Sequence, residues 1–144
     1  MGSTREARLY QYLMSVQHEQ FQLGFHDCAT FVCRWVDMEL GTNYLERVKT
    51  DLNYSVETHA VRAIAKRGGY DLLVQRYCGD PCDPKTEQFD RGDIALYANH
   101  FGSMTLGILG ERLVYGPGMD GILASDAMNA VKFWRLECLK QQPR

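Results

Sequence analysis

The chain is predicted to be a single α+β domain, with N-terminal helices packed on a C-terminal antiparallel sheet. Apolar residues recur at helical spacing through the front two thirds. After Pro84 the period changes to short apolar and alternating runs, two of which flank a tight hairpin signal at Gly110-Glu111. Helices first and a meander of strands second is the pattern of α+β domains rather than of alternating α/β folds. A length of 144 residues suits one domain over 1–144, and no repeat or Gly/Ser/Pro-rich linker divides it.

Each element follows from local chemistry. Leu9, Tyr12, Leu13 and Val16 fall at i, i+3, i+4 and i+7, so Thr4 to about Gln17 reads as an amphipathic helix. A second helix runs from Cys28 to Leu40, with Asp27 as its N-cap and Gly41 as its stop. Its inward stripe is Cys28, Val32, Trp35 and Val36, with Phe31 beside it. A third helix is expected after Ser55, carrying Val56, Ala60, Val61, Ile64 and Ala65 inward and ending at Gly68-Gly69. Tyr70 to Tyr77 reads as one more short helix. Strands are expected at Asp93–Ala98, Met104–Leu109, Arg112–Tyr115 and Val131–Leu136. Gly116-Pro117-Gly118-Met119-Asp120-Gly121 follows a strand without opening a helix, so it reads as a loop and not a phosphate cradle. The polar tail Lys140–Arg144 is expected to fray.

Composition excludes several function classes. Hydrophobic residues make up 45% and charged residues 24%, as in ordinary globular proteins. The net charge of -2 lacks the basic excess of a protein that grips nucleic acid through phosphates. No stretch approaches the roughly 18 apolar residues of a membrane span, and the first twenty residues hold no apolar core of a secretory signal. The expectation is synthesis in a cytoplasm. The five cysteines, Cys28, Cys33, Cys78, Cys82 and Cys138, are odd in number and carry no export signal, which argues against a disulfide framework. Cys78 and Cys82 invite a metal reading, but Cys28 and Cys33 are too loosely spaced to complete a zinc site. Thiols without metal are expected, and no cofactor.

The most informative segment is Gly24-Phe25-His26-Asp27-Cys28-Ala29-Thr30-Phe31-Val32. A cysteine on the first turn of a helix feels exposed amides and the positive end of the dipole, both of which favour the nucleophilic thiolate. Ala29 keeps the approach open. The plainer reading, which the pattern alone favours, is a buried cysteine packing as a small hydrophobe.

Gly-x-x-Asp-Cys-small-x-Phe-Val opening a helix resembles the nucleophile motif of the NlpC-type cell-wall peptidases, a compact branch of the papain-like cysteine peptidases. Arg91-Gly92-Asp93-Ile94-Ala95-Leu96 is similar to that family's Gly-Asp lead into the first core strand. Leu106-Gly107-Ile108 with Gly110 is similar to its second strand and hairpin. The resemblance covers about 25–136. Its details, including Val131-Lys132-Phe133-Trp134-Arg135, are most similar to a short subfamily encoded among phage tail genes. It implies a papain-like fold: a helix carrying the cysteine, packed on an antiparallel sheet carrying a histidine.

In the active family that histidine directly precedes the hydrophobic-Gly-Ile of the second strand, and here the slot is Thr105. Threonine cannot take a proton from a thiol near neutral pH. His100 lies five residues upstream, roughly 16 Å away along an extended chain, and reaches the site only if Asn99 to Met104 folds back. His26 lies two residues before Cys28 and touches it only if the loop curls; the plainer role is fixing the helix start with Asp27. His18 and His59 read as surface residues. Tyr115 is the one candidate for a group orienting a base, and is equally a sheet aromatic.

The resemblance therefore implies a structural protein of a phage tail, near the tip, in the virion, contacting other tail proteins through a domain whose cysteine site is degenerate. The alternative is an active thiol peptidase or amidase that uses Cys28 to cut peptidoglycan peptides during genome delivery, with helix-start amides as the oxyanion hole.

Overall fold

The computed structural model describes residues 4–19, 27–52, 69–99, 102 and 104–139. Four α-helices come first: α1 (Arg5–Val16), α2 (Cys28–Leu40), α3 (Tyr44–Leu52) and α4 (Gly69–Cys78). Five strands follow: β1 (Ile94–Ala98), β2 (Met104–Leu109), β3 (Leu113–Gly118), β4 (Gly121–Asp126) and β5 (Ala130–Trp134). All neighbours are antiparallel, in the order β4-β3-β2-β1-β5. The α+β class and the helix-then-sheet order are as the sequence predicts.

α1 is capped by Thr4, whose hydroxyl accepts from the Ala7 amide at 3.1 Å, and it buries Leu9, Tyr12 and Val16. It is tied to α2 by the Tyr12 hydroxyl donating to the Phe31 carbonyl (2.6 Å) and by Arg8 on Glu39 (2.6 Å). α2 has the predicted bounds, and its end needs Gly41, whose φ of 68° is the left-handed stop that only glycine takes cheaply. α3 is not among the predicted helices. Its first turn is capped from outside its own sequence: the Asp37 carboxylate on α2 accepts from the amides of Tyr44 (2.9 Å) and Leu45 (3.0 Å). The third helix expected after Ser55 lies outside the described residues, as do His26, His59, His100 and the tail 140–144.

Two corrections concern the sheet. The β2–β3 turn sits one residue later than the Gly110-Glu111 signal, because Gly110 donates to the Leu113 carbonyl (2.7 Å) and leaves Glu111-Arg112 at the tip. The Gly116–Gly121 stretch is no loop: β3 runs on to Gly118, Met119-Asp120 make the turn, and Gly118 pairs with Gly121 to start a strand the sequence reading lacked, β4. Its three glycines hid an extended backbone.

The sheet has two apolar faces. Ile94, Leu96, Leu106, Ile108 and Trp134 pack with the helices in the main core, together with Phe31, Trp35 and Val36. Ala95, Tyr97, Leu109, Val114 and Phe133 form a second core on the other face with Ala127 and Ala130. This second face is enclosed because the sheet curls. β4 and β5 lie four strand spacings apart in order, about 19 Å in a flat sheet. Only Ala127–Asn129 links them, and four residue steps reach at most about 14 Å.

Candidate functional site

The site is organised by the start of α2. Asp27 is extended (φ -112°) and fully buried, and its carboxylate accepts from the Thr30 amide at 2.8 Å. In return the Thr30 hydroxyl accepts from the Asp27 amide at 2.8 Å. This reciprocal box satisfies two backbone donors that a helix start leaves open, and it fixes Cys28 at the first helical position. Cys28 is 5% exposed and belongs to the main core. The Asp of the Asp-Cys motif is thus a cap.

The Arg91-Gly92-Asp93 segment joins α2 to the sheet. Trp35, two turns beyond Cys28, donates its indole N–H to the Gly92 carbonyl at 2.9 Å. Asp93 is 1% exposed, and its carboxylate accepts from the amides of Asp90 (2.8 Å) and Leu136 (2.9 Å). Burial pushes its pKa up, against the pull of those two amides. With Trp35 anchored at the start of β1, the seven residues back to Cys28, about 10 Å of helix, run towards the other end of the sheet. That end carries Tyr97 and Thr105, which face each other as register partners.

Tyr97 is the residue that sequence reasoning missed. It is 4% exposed, and its ring lies across β2 and β3 over Gly107 and Gly116. A Cβ on Gly107 would stand 2.7 Å from the Tyr97 ring, and one on Gly116 would collide with the hydroxyl. The signal was present as a glycine inside each of two adjacent strands, which marks close approach of another group. Burial first, and Cys28 second, push the Tyr97 pKa up to about 12. The electrostatic effect of Cys28 reaches Tyr97 although Cys28 packs in the main core and Tyr97 in the second. At neutral pH the Tyr97 hydroxyl is a donor and not a base.

Thr105 and Tyr97 open onto a cavity of about 450 Å³ at the mouth of the curled sheet, lined also by Asn99, Ser125 and Leu123 and by Gln17 from the end of α1. Ser125 and Leu123 come from β4, so the unpredicted strand supplies this wall. The polar side chains of the lining are hydroxyls and amides, with Asp120 the one carboxylate among the described residues. None of the described lining residues is a histidine.

The remaining candidates separate. Tyr115 packs against the main core and its ring leans back over Gly110, towards the β2–β3 turn and away from Thr105. His18, the one described histidine, is exposed just past α1. His26 and His100 lie outside the described residues. No disulfide joins any of the five cysteines. Cys78 faces the main core with Cys33, where burial pushes both thiols up, Cys78 to about 12. Cys82 packs on the second core and bridges Phe133 at the outer edge of β5. The tight pair in the sequence is therefore split between the two faces. Among the described residues no group of three or more His, Cys, Asp or Glu is arranged to hold a metal, and no helix is long and apolar enough to cross a membrane.

The chain matches no curated protein. Residues 3–136 match a family model described as a domain of unknown function (DUF6950), and the chain belongs to that family.

Proposed function

We propose that this domain has a papain-like, NlpC-type fold and serves as a structural component of a bacteriophage tail, near the tip, with a degenerate cysteine site. One observation carries the reading of the site: the sheet end next to Cys28 holds Thr105 and a protonated Tyr97 where a peptidase needs an imidazole. The fold is supported by three features that agree with the resemblance: a cysteine at the first turn of a capped helix, a Gly-Asp joint leading into the first core strand, and Thr105-Leu106-Gly107-Ile108 on the second strand. Placement in the virion, among other tail proteins, is supported by the similarity of Val131–Arg135 and the rest of 25–136 to the tail-encoded subfamily. The second reading, a thiol peptidase acting on peptidoglycan, is favoured by the position of Cys28 at the first turn of a capped helix.

The test is a phage carrying Cys28→Ala in this gene. Purified particles should contain the protein by mass spectrometry, and the variant should assemble and infect as the parent does. Absence of the protein from particles would overturn the tail assignment. Variant particles that assemble normally but infect at least tenfold less would support the peptidase.

A further inference from the structure

A polar hollow lies on the face of the sheet turned away from the main core. Cys28 packs in the main core, whereas Tyr97 belongs to the second. Thr105 is the register partner of Tyr97, and Ser125 that of Val114, itself in the second core. Residues paired across antiparallel strands share a face, so the cavity of about 450 Å³ that these side chains line opens on the Tyr97 side. Its volume falls within the range of about 300–1,000 Å³ found for small-molecule sites.

Glycines fit the walls of this hollow together. The Tyr97 ring lies over Gly107 and Gly116. The Leu123 side chain lies against Gly118, where a Cβ would stand 2.6 Å from it, and the Gln17 carbonyl lies against Gly121. A side chain at any of these positions would displace a lining group. Three hydroxyls then meet the open space. Tyr97 and Ser125 are 4% and 7% exposed, and Thr105 is half-buried. Among the described residues no hydrogen bond engages any of the three hydroxyls. Buried polar groups are ordinarily paired inside the protein. Open hydroxyls converging on one cavity are groups whose partners come from outside.

We propose that this cavity binds a neutral sugar. Its hydroxyl and amide side chains each donate and accept, and the chemical match for such a set is a ring bearing hydroxyls. Among the described lining residues there is no lysine, arginine or histidine to hold a phosphate or carboxylate. The one charge, Asp120, sits exposed at the β3–β4 turn rather than deep in the cavity. Ile122, Leu123 and Met119 stand beside the hydroxyls and offer an apolar surface to the C–H face of a sugar ring. The site depends neither on the chemistry of Cys28 nor on a place in a phage tail.

The experiment is an NMR titration of the nitrogen-15-labelled full chain with D-glucose, D-galactose and N-acetyl-D-glucosamine. At least one should bind saturably within tens of millimolar, with shifts centred on Thr105 and on Leu123 to Ser125. Ser125→Ala and Thr105→Val each remove one hydroxyl with little change of shape. Each should leave the circular dichroism unchanged and weaken that binding roughly threefold or more. Absence of saturable binding by all of these sugars overturns the proposal. So does binding that both variants leave untouched, which would put the sugar elsewhere. Glucose 6-phosphate, glucosamine and cyclohexanol are the comparators, and tighter binding of any of them than of the neutral sugars overturns the ligand class and the proposal with it.

Discussion

The start of α2 and the Tyr97–Thr105 end of the sheet lie close together and are built on opposite principles. At the helix start, Asp27 and Thr30 satisfy each other's amides, and Cys28 is held in one place by a box buried on all sides. At the sheet end, a tyrosine lies over two glycines and the wall is a set of short hydroxyls and amides around open space. The first region is the frame a nucleophile needs. Among the described residues the second holds no histidine. The parts of this frame also carry the fold: the cap starts the helix, and Trp35 ties it to Gly92 at the head of β1.

If that contrast is right, the two regions respond differently to substitution. Trp35→Ala should be the most damaging, because it empties a fully buried site and orphans the Gly92 carbonyl; a loss of about 3–5 kcal/mol in urea unfolding is expected. A loss below about 1 kcal/mol would mean the helix is not anchored there. Gly116→Ala acts on the sheet end, where the new methyl meets the Tyr97 hydroxyl. Overpacking of this kind costs about 1–3 kcal/mol, and Tyr97→Phe in the same chain should recover part of it. No recovery would show that the ring does not lie over Gly116.

The smallest effect is a pH dependence. Burial pushes Tyr97 and Tyr44 up to about 12 in the folded protein, while unfolded tyrosine ionises near pH 10. The folded state therefore keeps protons that the unfolded state gives up. Stability is intact below pH 10 and is lost as the pH rises from 10 through 12. Urea midpoints at pH 8, 10 and 11 should fall in that order, and Tyr97→Phe should make the decline shallower. Midpoints independent of pH would contradict the burial of these hydroxyls.

Much of the helical half was legible from the residues. Asp27, the apolar stripe and Gly41 bound α2 as found, because capping and amphipathic spacing are local signals. β2 was legible for the same reason. α3 was not, since its cap is Asp37, a residue of another helix, and a cap supplied across a turn leaves no mark in the capped sequence. β4 was hidden by glycines and by Pro117, which read as a loop although the strand pairs throughout. The site suffered the same way: Cys28 announced itself through its helix, whereas Tyr97 and Ser125 are brought to the cavity by strand pairing and by the curl of the sheet, which are long-range consequences of packing.

The most direct test of the proposal that the Cys28 site is degenerate is hydrolysis of purified muropeptides followed by mass spectrometry. Parent protein and Cys28→Ala should both leave the substrate uncleaved between pH 6 and 8. Turnover by the parent that disappears in Cys28→Ala would contradict the account and make this domain a working thiol hydrolase.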